Sequence, residues 1–222
     1  MAHMAWTECY DIFPCSLHLA FRGNEIMKHI GRKLYHLLGG VGCLSLYYIL
    51  GRERALIFYT MLFAVVLGLD LMRLRIPSIN RFIFSKFGSF IRPSEEHKLT
   101  GTAPYILGIG SSLYLYRTDI ATAAVCFLAF GDVAATTIGE RYGRTKIGDK
   151  SLEGTIAFVV AALLAGFLLP LAGVSVMRTV ILTGAIVAAG VELLPLPVND
   201  NLSIPLVSGG VMTLVARLTG CA

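Results

Sequence analysis

Seven runs of mostly apolar residues constrain this chain more than any other feature of its sequence. The runs fall at about residues 34–50, 55–72, 102–117, 119–139, 155–176, 179–195 and 202–220. A helix that crosses a bilayer needs roughly 20 mostly apolar residues. Charged residues make up 15% of the chain, whereas a soluble domain usually carries about 25%. The pattern predicts an all-α polytopic integral membrane protein with about seven transmembrane helices.

The runs divide the chain into one long membrane-embedded domain and a short leading segment. Residues 31–222 are predicted to form a single domain, because no polar stretch is long enough for a separate soluble unit. Residues 1–30 are interpreted as a tail or an interfacial segment, since the apolar stretch 13–21 is too short to span. The opening MAHM is interpreted as a cloning remnant.

The basic residues predict the orientation of these helices. With seven spans, 14 of the 19 Lys and Arg residues fall in loops on one side and 5 on the other. Loops rich in Lys and Arg stay in the cytoplasm, so the N-terminus is predicted to be cytoplasmic. The same rule accounts for the net charge of +5, and no basic run long enough for a nucleic-acid partner occurs. The unusual polar residues fall on the same side, which predicts a multi-pass protein of a cell membrane or endomembrane whose active site faces the cytoplasm.

Three acidic residues lie in or beside apolar runs and need an explanation. These are Asp70, Asp132 and Glu192. A charge at mid-bilayer depth costs about 2.5–3.5 kcal/mol, so such residues are usually paired or functional. Asp70 precedes Arg73 by one helical turn, which leaves an ion pair and a functional role equally open. For Asp132 a functional role is favoured, because the sequence that follows it is also unusual.

The segment after Asp132 has the composition of a phosphate site. Lys146 and Lys150 bracket a glycine, and Ser151 is placed to cap the next helix, with Glu153 in its first turn. A helix N-terminus preceded by two lysines suits a polyphosphate. A carboxylate opposite it, such as Asp132, could hold Mg²⁺, which keeps several waters and uses few protein ligands.

The longest polar segment lies between the second and third runs. Its middle, INRFIFSKFGSFI, alternates basic with aromatic and aliphatic residues. This alternation predicts an amphipathic helix on an anionic membrane surface. The following RPSEEHKLTG contributes two adjacent acids, one of which is Glu96.

These segments, in this order, resemble the CTP-dependent lipid-alcohol kinases, which include dolichol kinase, phytol kinase and the yeast-type diacylglycerol kinase. The matching segments are GRKLYH (31–36), DLMRLRIPSIN (70–80), RPSEEHKLTG (92–101), FGDVAATTIGERYGRTKIGDKSLEGT (130–155) and VELLPLPVNDNLSIP (191–205). The resemblance implies an integral-membrane enzyme that transfers the γ-phosphate of CTP to the hydroxyl of a membrane lipid alcohol.

The resemblance also implies roles for individual residues. The catalytic candidates are Asp132, Asp70, Glu96 and Lys150. The nucleotide-binding candidates are Gly139, Lys146, Lys150, Ser151, Glu153, Gly154, Arg92, Asp200 and Asn201. The candidates for lipid binding or structural support are Arg32, Lys33, His36, Arg73, Asn80, Thr100, Gly101 and Glu192.

Phosphoryl transfer depends on positioning and on neutralisation of the phosphate charge. The candidate residues are therefore expected to bind Mg²⁺ and the CTP phosphates. Mg²⁺ is assigned to Asp132 together with Glu153 or Glu96, and the CTP phosphates to two lysines and Arg92. Asp70 and Glu96 both remain candidates for the group that accepts or orients the proton of the lipid hydroxyl.

Two other functions are weighed against this one. A phosphatidate cytidylyltransferase would also use CTP, but its PGHGG-DR-D signature is absent. A small ion-coupled transporter would use the intramembrane acids, but it would be built from inverted repeats, and the chain shows no such symmetry. The sequence leaves the lipid and the oligomeric state open.

Overall fold

The computed structural model describes residues 15–88, residue 91 and residues 95–220, with side chains described from residue 31 onward except at Arg32. Within these ranges the chain is mostly helical. The helices are α1 (Cys15–Leu50), α2 (Arg52–Arg75), α3 (Pro77–Phe87), α4 (Thr102–Leu115), α5 (Thr118–Cys126), α6 (Asp132–Tyr142), α7 (Leu152–Leu168), α8 (Arg178–Leu193) and α9 (Asp200–Leu218). A π-helical turn (Phe127–Gly131) joins α5 to α6, and a 3₁₀ turn (Leu169–Ala172) extends α7.

Four stretches of the described chain are long and apolar enough to cross a membrane. They are Arg52–Arg75, Thr118–Tyr142, Leu152–Ala172 and Asp200–Leu218. The helical, membrane-type fold expected from the sequence is therefore confirmed. The other three predicted spans fall in α1, α4 and α8. The last two have 14 and 16 residues, fewer than the roughly 20 that span a bilayer. Seven spans and their orientation remain predictions.

The helix that begins at Cys15 continues without a break into the first apolar run. Residues 15–30 are thus the N-terminal part of α1, which ends at Leu50. Residues 1–14, including the proposed cloning remnant, lie outside the described residues. The predicted amphipathic helix is present as α3. It begins at Pro77, whose fixed φ suits the first helical position.

The core is centred on α5 and the π turn. Between Ile120 and Ala129 every residue is buried. The helices around this core expose leucine, isoleucine and phenylalanine side chains outward. An apolar exterior around helices with paired backbone groups is the arrangement that a bilayer requires.

Side-chain contacts define two ends of the helix bundle. At one end Arg52 donates to the Tyr114 carbonyl at 2.8 Å, and the Tyr47 hydroxyl lies 3.0 Å from that of Thr118. At the other end Asn201 Nδ2 donates to the Gly101 carbonyl at 2.9 Å. We call this second end the polar end, because most of the site candidates lie there.

Candidate active site

Asp132 begins α6 directly after the π turn. A π turn shifts the helical register by one residue and is frequent at functional sites. Gly131 permits the turn to pack, because a Cβ there would overlap the Phe158 ring. The Asp132 side chain is 17% exposed, and its Oδ2 lies 3.7 Å from His36 Nδ1 of α1.

A polar cavity of about 250 Å³ opens beside Asp132 at the polar end. It is formed by α6, the hairpin that follows, the start of α7, the end of α8 and the start of α9. Its polar lining residues are Asp132, Thr136, Glu140, Lys146, Asp149, Lys150, Ser151, Glu192 and Asp200. Ligand sites usually measure roughly 300–1,000 Å³, so this cavity suits the phosphate end of a nucleotide better than a whole one.

Lys150 is held in this cavity by groups from two other elements. Its ammonium lies 2.8 Å from Asp200 Oδ2 and 3.5 Å from Glu192 Oε1. It also donates to the backbone carbonyl of Glu192. These contacts join the segment before α7 to α8 and α9, so three of the sequence candidates meet at one point.

The cavity carries more negative than positive charge. Among its described lining residues are five carboxylates and two lysines. Glu192 Oε2 is buried and has no hydrogen-bond partner among the described residues. An unpaired buried carboxylate oxygen is costly, and the surplus of acids would repel a triphosphate that carried no bound cation. These residues fit a divalent cation, although no cluster of three or more metal-ligating side chains occurs in the described part of the chain.

The basic loop predicted after α6 is a two-stranded antiparallel hairpin. Strands β1 (Lys146–Ile147) and β2 (Lys150–Ser151) pair with Lys146 opposite Ser151. Gly148 has φ +61°, which glycine adopts without a steric penalty.

Ser151 caps α7 as predicted, with its Oγ accepting from Gly154 N at 3.2 Å. Glu153 accepts from Thr145 N with both carboxylate oxygens, at 3.1 and 3.2 Å. It closes the hairpin and is not among the cavity's lining residues.

The glycines of the motif bring α6 close to α7. A Cβ on Gly143 would overlap the Gly139 carbonyl and Ser151 Oγ, and one on Gly154 would lie 2.8 Å from the Ala135 carbonyl. Helix packing therefore explains these small residues. Gly139 and Gly154 nevertheless line the cavity.

Two residues of the GRKLYH segment reach α6 from α1. Lys33 Nζ lies 2.7 Å from Glu140 Oε2, and His36 lies beside Asp132. The His36 ring also packs edge-on against Tyr105, with ring centroids 4.8 Å apart. Tyr105 donates its hydroxyl to the His36 carbonyl at 2.5 Å. The Arg32 side chain lies outside the described part of the chain.

A second polar cluster fixes the segment before α4. Asp70 Oδ1 accepts from Arg73 Nε at 2.7 Å, and Oδ2 accepts from the Thr100 amide and hydroxyl at 2.9 and 2.7 Å. The Arg73 guanidinium is 1% exposed and also donates to Asn80 Oδ1 and to the carbonyls of Glu95, Glu96 and Lys98. The ion pair weighed from the sequence is thus present.

The remaining candidates occupy different positions. The Glu96 side chain is exposed and does not line the cavity. Arg92 lies outside the described residues. Asn201 is buried and fixes Gly101, while Asn199 caps α9 by accepting from Asn201 N at 3.0 Å. The run Asn199–Asn201 therefore caps a helix, holds Lys150 and anchors α4.

Two charged lining residues were not selected from the sequence. Asp149 lies in the hairpin turn and Glu140 near the end of α6. Both lie among other charged residues, and such a pattern is typical of a solvated loop. The sequence did contain one indication of Asp149, because it is adjacent to the candidate Lys150. Both residues line the cavity.

Three proteins of known activity are similar to this chain. CTP-dependent diacylglycerol kinase 1 of Saccharomyces cerevisiae is 34% identical over 142 residues, which cover 61% of this chain and 48% of that protein. Its Eremothecium gossypii counterpart is 32% identical over 147 residues, 64% of this chain and 46% of that protein. CTP-dependent diacylglycerol kinase 1 of Schizosaccharomyces pombe is 32% identical over 94 residues, 40% of this chain and 43% of that protein.

The chain thus spans about half the length of the relatives it matches most extensively. The matches fit the CTP-dependent lipid kinase family, so the resemblance noted in the sequence is confirmed. No protein-family model matches the chain, and no solved structure does.

Proposed function

We propose that this protein transfers the γ-phosphate of CTP to the hydroxyl of a membrane lipid alcohol. The observation that carries the proposal is the polar cavity, which holds lysines and carboxylates at one end of a bundle of apolar helices. The relatives that share its sequence are CTP-dependent diacylglycerol kinases. Diacylglycerol is therefore the first acceptor to test.

Binding of the nucleotide is assigned to the hairpin and the helices around it. Lys146 and Lys150 are the cationic groups of the cavity and attract the phosphates. Asp200 and Glu192 fix the position of Lys150. Because phosphoryl transfer depends on positioning more than on covalent chemistry, a lysine fixed by Asp200 and Glu192 supplies what the reaction requires.

Asp132 and Glu192 are the residues that would hold Mg²⁺, because they line one cavity and Glu192 Oε2 is unpaired there among the described residues. Bound Mg²⁺ supplies neutralisation of the phosphate charge. This assignment keeps Asp132 from the sequence prediction and substitutes Glu192 for Glu153 and Glu96, which do not line the cavity.

In the reaction the lipid hydroxyl oxygen forms a bond to the γ-phosphorus, the bond to the β–γ bridging oxygen breaks, and CDP leaves. The hydroxyl proton passes to a carboxylate. Both Asp70 oxygens already accept hydrogen bonds from Arg73 and Thr100. Asp70 is therefore assigned to positioning, and the proton acceptor to a carboxylate of the cavity.

The two other functions have less support. The relatives are kinases, whereas a cytidylyltransferase would incorporate the α-phosphate of CTP. A transporter would use Asp70, Asp132 and Glu192 along a path through the membrane. Instead Asp70 is tied to Arg73, and the other two share a cavity at the polar end.

Purified protein in detergent–lipid micelles, supplied with CTP labelled at the γ or the α position, distinguishes these functions. We expect γ-label in the lipid product, no α-label, and a requirement for Mg²⁺. Incorporation of the α-label would establish a cytidylyltransferase instead. Absence of any CTP turnover with diacylglycerol, polyprenol and phytol would refute the kinase proposal.

A further inference from the structure

An apolar groove of about 630 Å³ lies between α2 and α3 and shares no lining residue with the polar cavity. The structure describes every residue of α3, and none of them is buried. The groove is therefore covered only lightly on the α3 side. Its apolar walls are formed by Val66, Leu69, Ile79, Phe82, Ile83 and Phe87.

One end of this groove is polar and neutral. The Tyr35 hydroxyl donates to the Thr102 hydroxyl at 3.4 Å, and Thr100 lies beside them. Asp70 and Arg73 also reach the groove, but their charges neutralise each other in a 2.7 Å ion pair. The groove thus matches a molecule with a long apolar body and an uncharged hydroxyl head.

The polar end of the groove is close to Asp132. The Tyr105 ring contacts both neighbouring rings of α1, at 6.5 Å from Tyr35 and 4.8 Å from His36. His36 in turn lies 3.7 Å from Asp132. Tyr105 and His36 therefore separate the head of the groove, at Tyr35, from the carboxylate of Asp132 in the polar cavity.

A second groove provides a natural comparison. It has a similar volume, about 600 Å³, and lies along α6 and α7. None of its described lining residues is charged, and Thr137 is the polar side chain among them. Its described lining has no cluster of hydroxyl groups at one end. It therefore fits the hydrocarbon chain of any membrane lipid and offers nothing that would select a hydroxyl head.

We propose that the groove between α2 and α3 holds the hydrocarbon chain of the acceptor lipid, with the lipid hydroxyl at Tyr35 and Thr102. This inference rests on the proposed kinase function. Arg81 and Lys86 of α3 are exposed and fit the head-group level of an anionic membrane. For transfer, the hydroxyl has to pass His36 and Tyr105, the side chains between Tyr35 and Asp132.

Matched leucine substitutions test the groove. Leu69 lines the first groove and Leu164 the second, and they are 46% and 59% exposed. In micelles of dioleoylglycerol, Leu69→Trp should raise the apparent KM for the lipid about tenfold, because the larger side chain occupies the space of the acyl chain. The KM for CTP should not change. Leu164→Trp should leave both constants unchanged.

Equal lipid KM values for Leu69→Trp and the unsubstituted protein would overturn the proposal, as would the same increase in both variants. These outcomes presuppose γ-phosphate transfer by the unsubstituted protein. If the unsubstituted protein transfers no γ-phosphate, the proposed function is refuted. The occupant of the groove is then tested by a measurement that needs no turnover.

That measurement is photolabelling with a diacylglycerol that carries a diazirine in one acyl chain. We expect label on peptides of α2 and α3, competed by dioleoylglycerol and lost in Leu69→Trp. Label on α6 and α7, equal label on both grooves, competition by anionic phospholipid alone, or no label on either groove would overturn the proposal.

Discussion

Glu192 places one carboxylate oxygen in a buried position of the cavity without a hydrogen-bond partner among the described residues. Its Oε1 lies 3.5 Å from the Lys150 ammonium, while its Oε2 is buried with no hydrogen-bond partner in the described part of the chain. A buried carboxylate is normally paired on both oxygens or coordinates a metal. The residue therefore has the environment of a cation ligand in the nucleotide-bound protein.

Glu192→Gln tests this interpretation. Loss of the charge should raise the half-saturating Mg²⁺ concentration for γ-phosphate transfer about tenfold or more. The melting temperature should not fall, because a neutral amide costs less to bury than a carboxylate. The control is Glu53→Gln, which changes an exposed acid at the start of α2. An unchanged Mg²⁺ dependence together with a lower melting temperature would show that Glu192 acts only as a partner of Lys150.

At the scale of elements, the contact between the end of α6 and the start of α7, with the hairpin between them, positions the cavity. We call this contact the α6–α7 corner. Gly139, Gly143 and Gly154 let the end of α6 pack against the start of α7, and Ser151 lies between them. The hairpin projects from this corner, so the positions of Lys146 and Lys150 depend on the helix contact. A methyl group at the contact should move both lysines.

Gly143→Ala is expected to destabilise the protein by about 1–3 kcal/mol, because its Cβ would overlap a carbonyl and the Ser151 hydroxyl. Gly42→Ala is the control, since a Cβ there would meet no described atom within 4 Å apart from its own stretch of helix backbone. In mid-helix that change should be neutral or stabilising by about 1 kcal/mol. Thermal unfolding in detergent measures both, and equal melting temperatures would contradict the packing account.

Apolar patterning predicted the helices well, because each run must satisfy its own backbone in lipid. It also placed the Ser151 cap, whose pattern is local. The hairpin was read as a loop because each strand has two residues. The contact of Asp70 with Thr100 joins residues that are 30 positions apart in the sequence. The approach of His36 to Asp132 joins residues that are 96 positions apart. Local sequence does not encode such contacts.

At the scale of the whole molecule, polar candidates from both ends of the sequence gather at one end of the bundle. Lys33 meets Glu140 there, and Lys150 meets Asp200. The opposite end is held by Arg52 and the Tyr114 carbonyl. A soluble nucleotide reaches a site at the end of a bundle without crossing the bilayer. That this end faces the cytoplasm stays a prediction from the basic loops.

Single cysteines in a cysteine-free background test this orientation. Ile147→Cys lies in the hairpin and Ser175→Cys between α7 and α8, and both positions are exposed. A membrane-impermeant maleimide should label the first only from the cytoplasmic side and the second only from the opposite side. Labelling of both from one side would contradict the predicted topology.

The central claim is that γ-phosphate transfer takes place beside Asp132, and a pair of matched substitutions tests it most directly. Asp132→Asn removes the carboxylate at the cavity, whereas Asp119→Asn removes one at the other end of the same helical stretch, where it pairs with Arg117 at 2.8 Å. With γ-labelled CTP and diacylglycerol, Asp132→Asn should lower transfer to the lipid about 100-fold or more. Asp119→Asn should retain the original rate. Near-original transfer by a membrane-inserted Asp132→Asn protein would contradict the account.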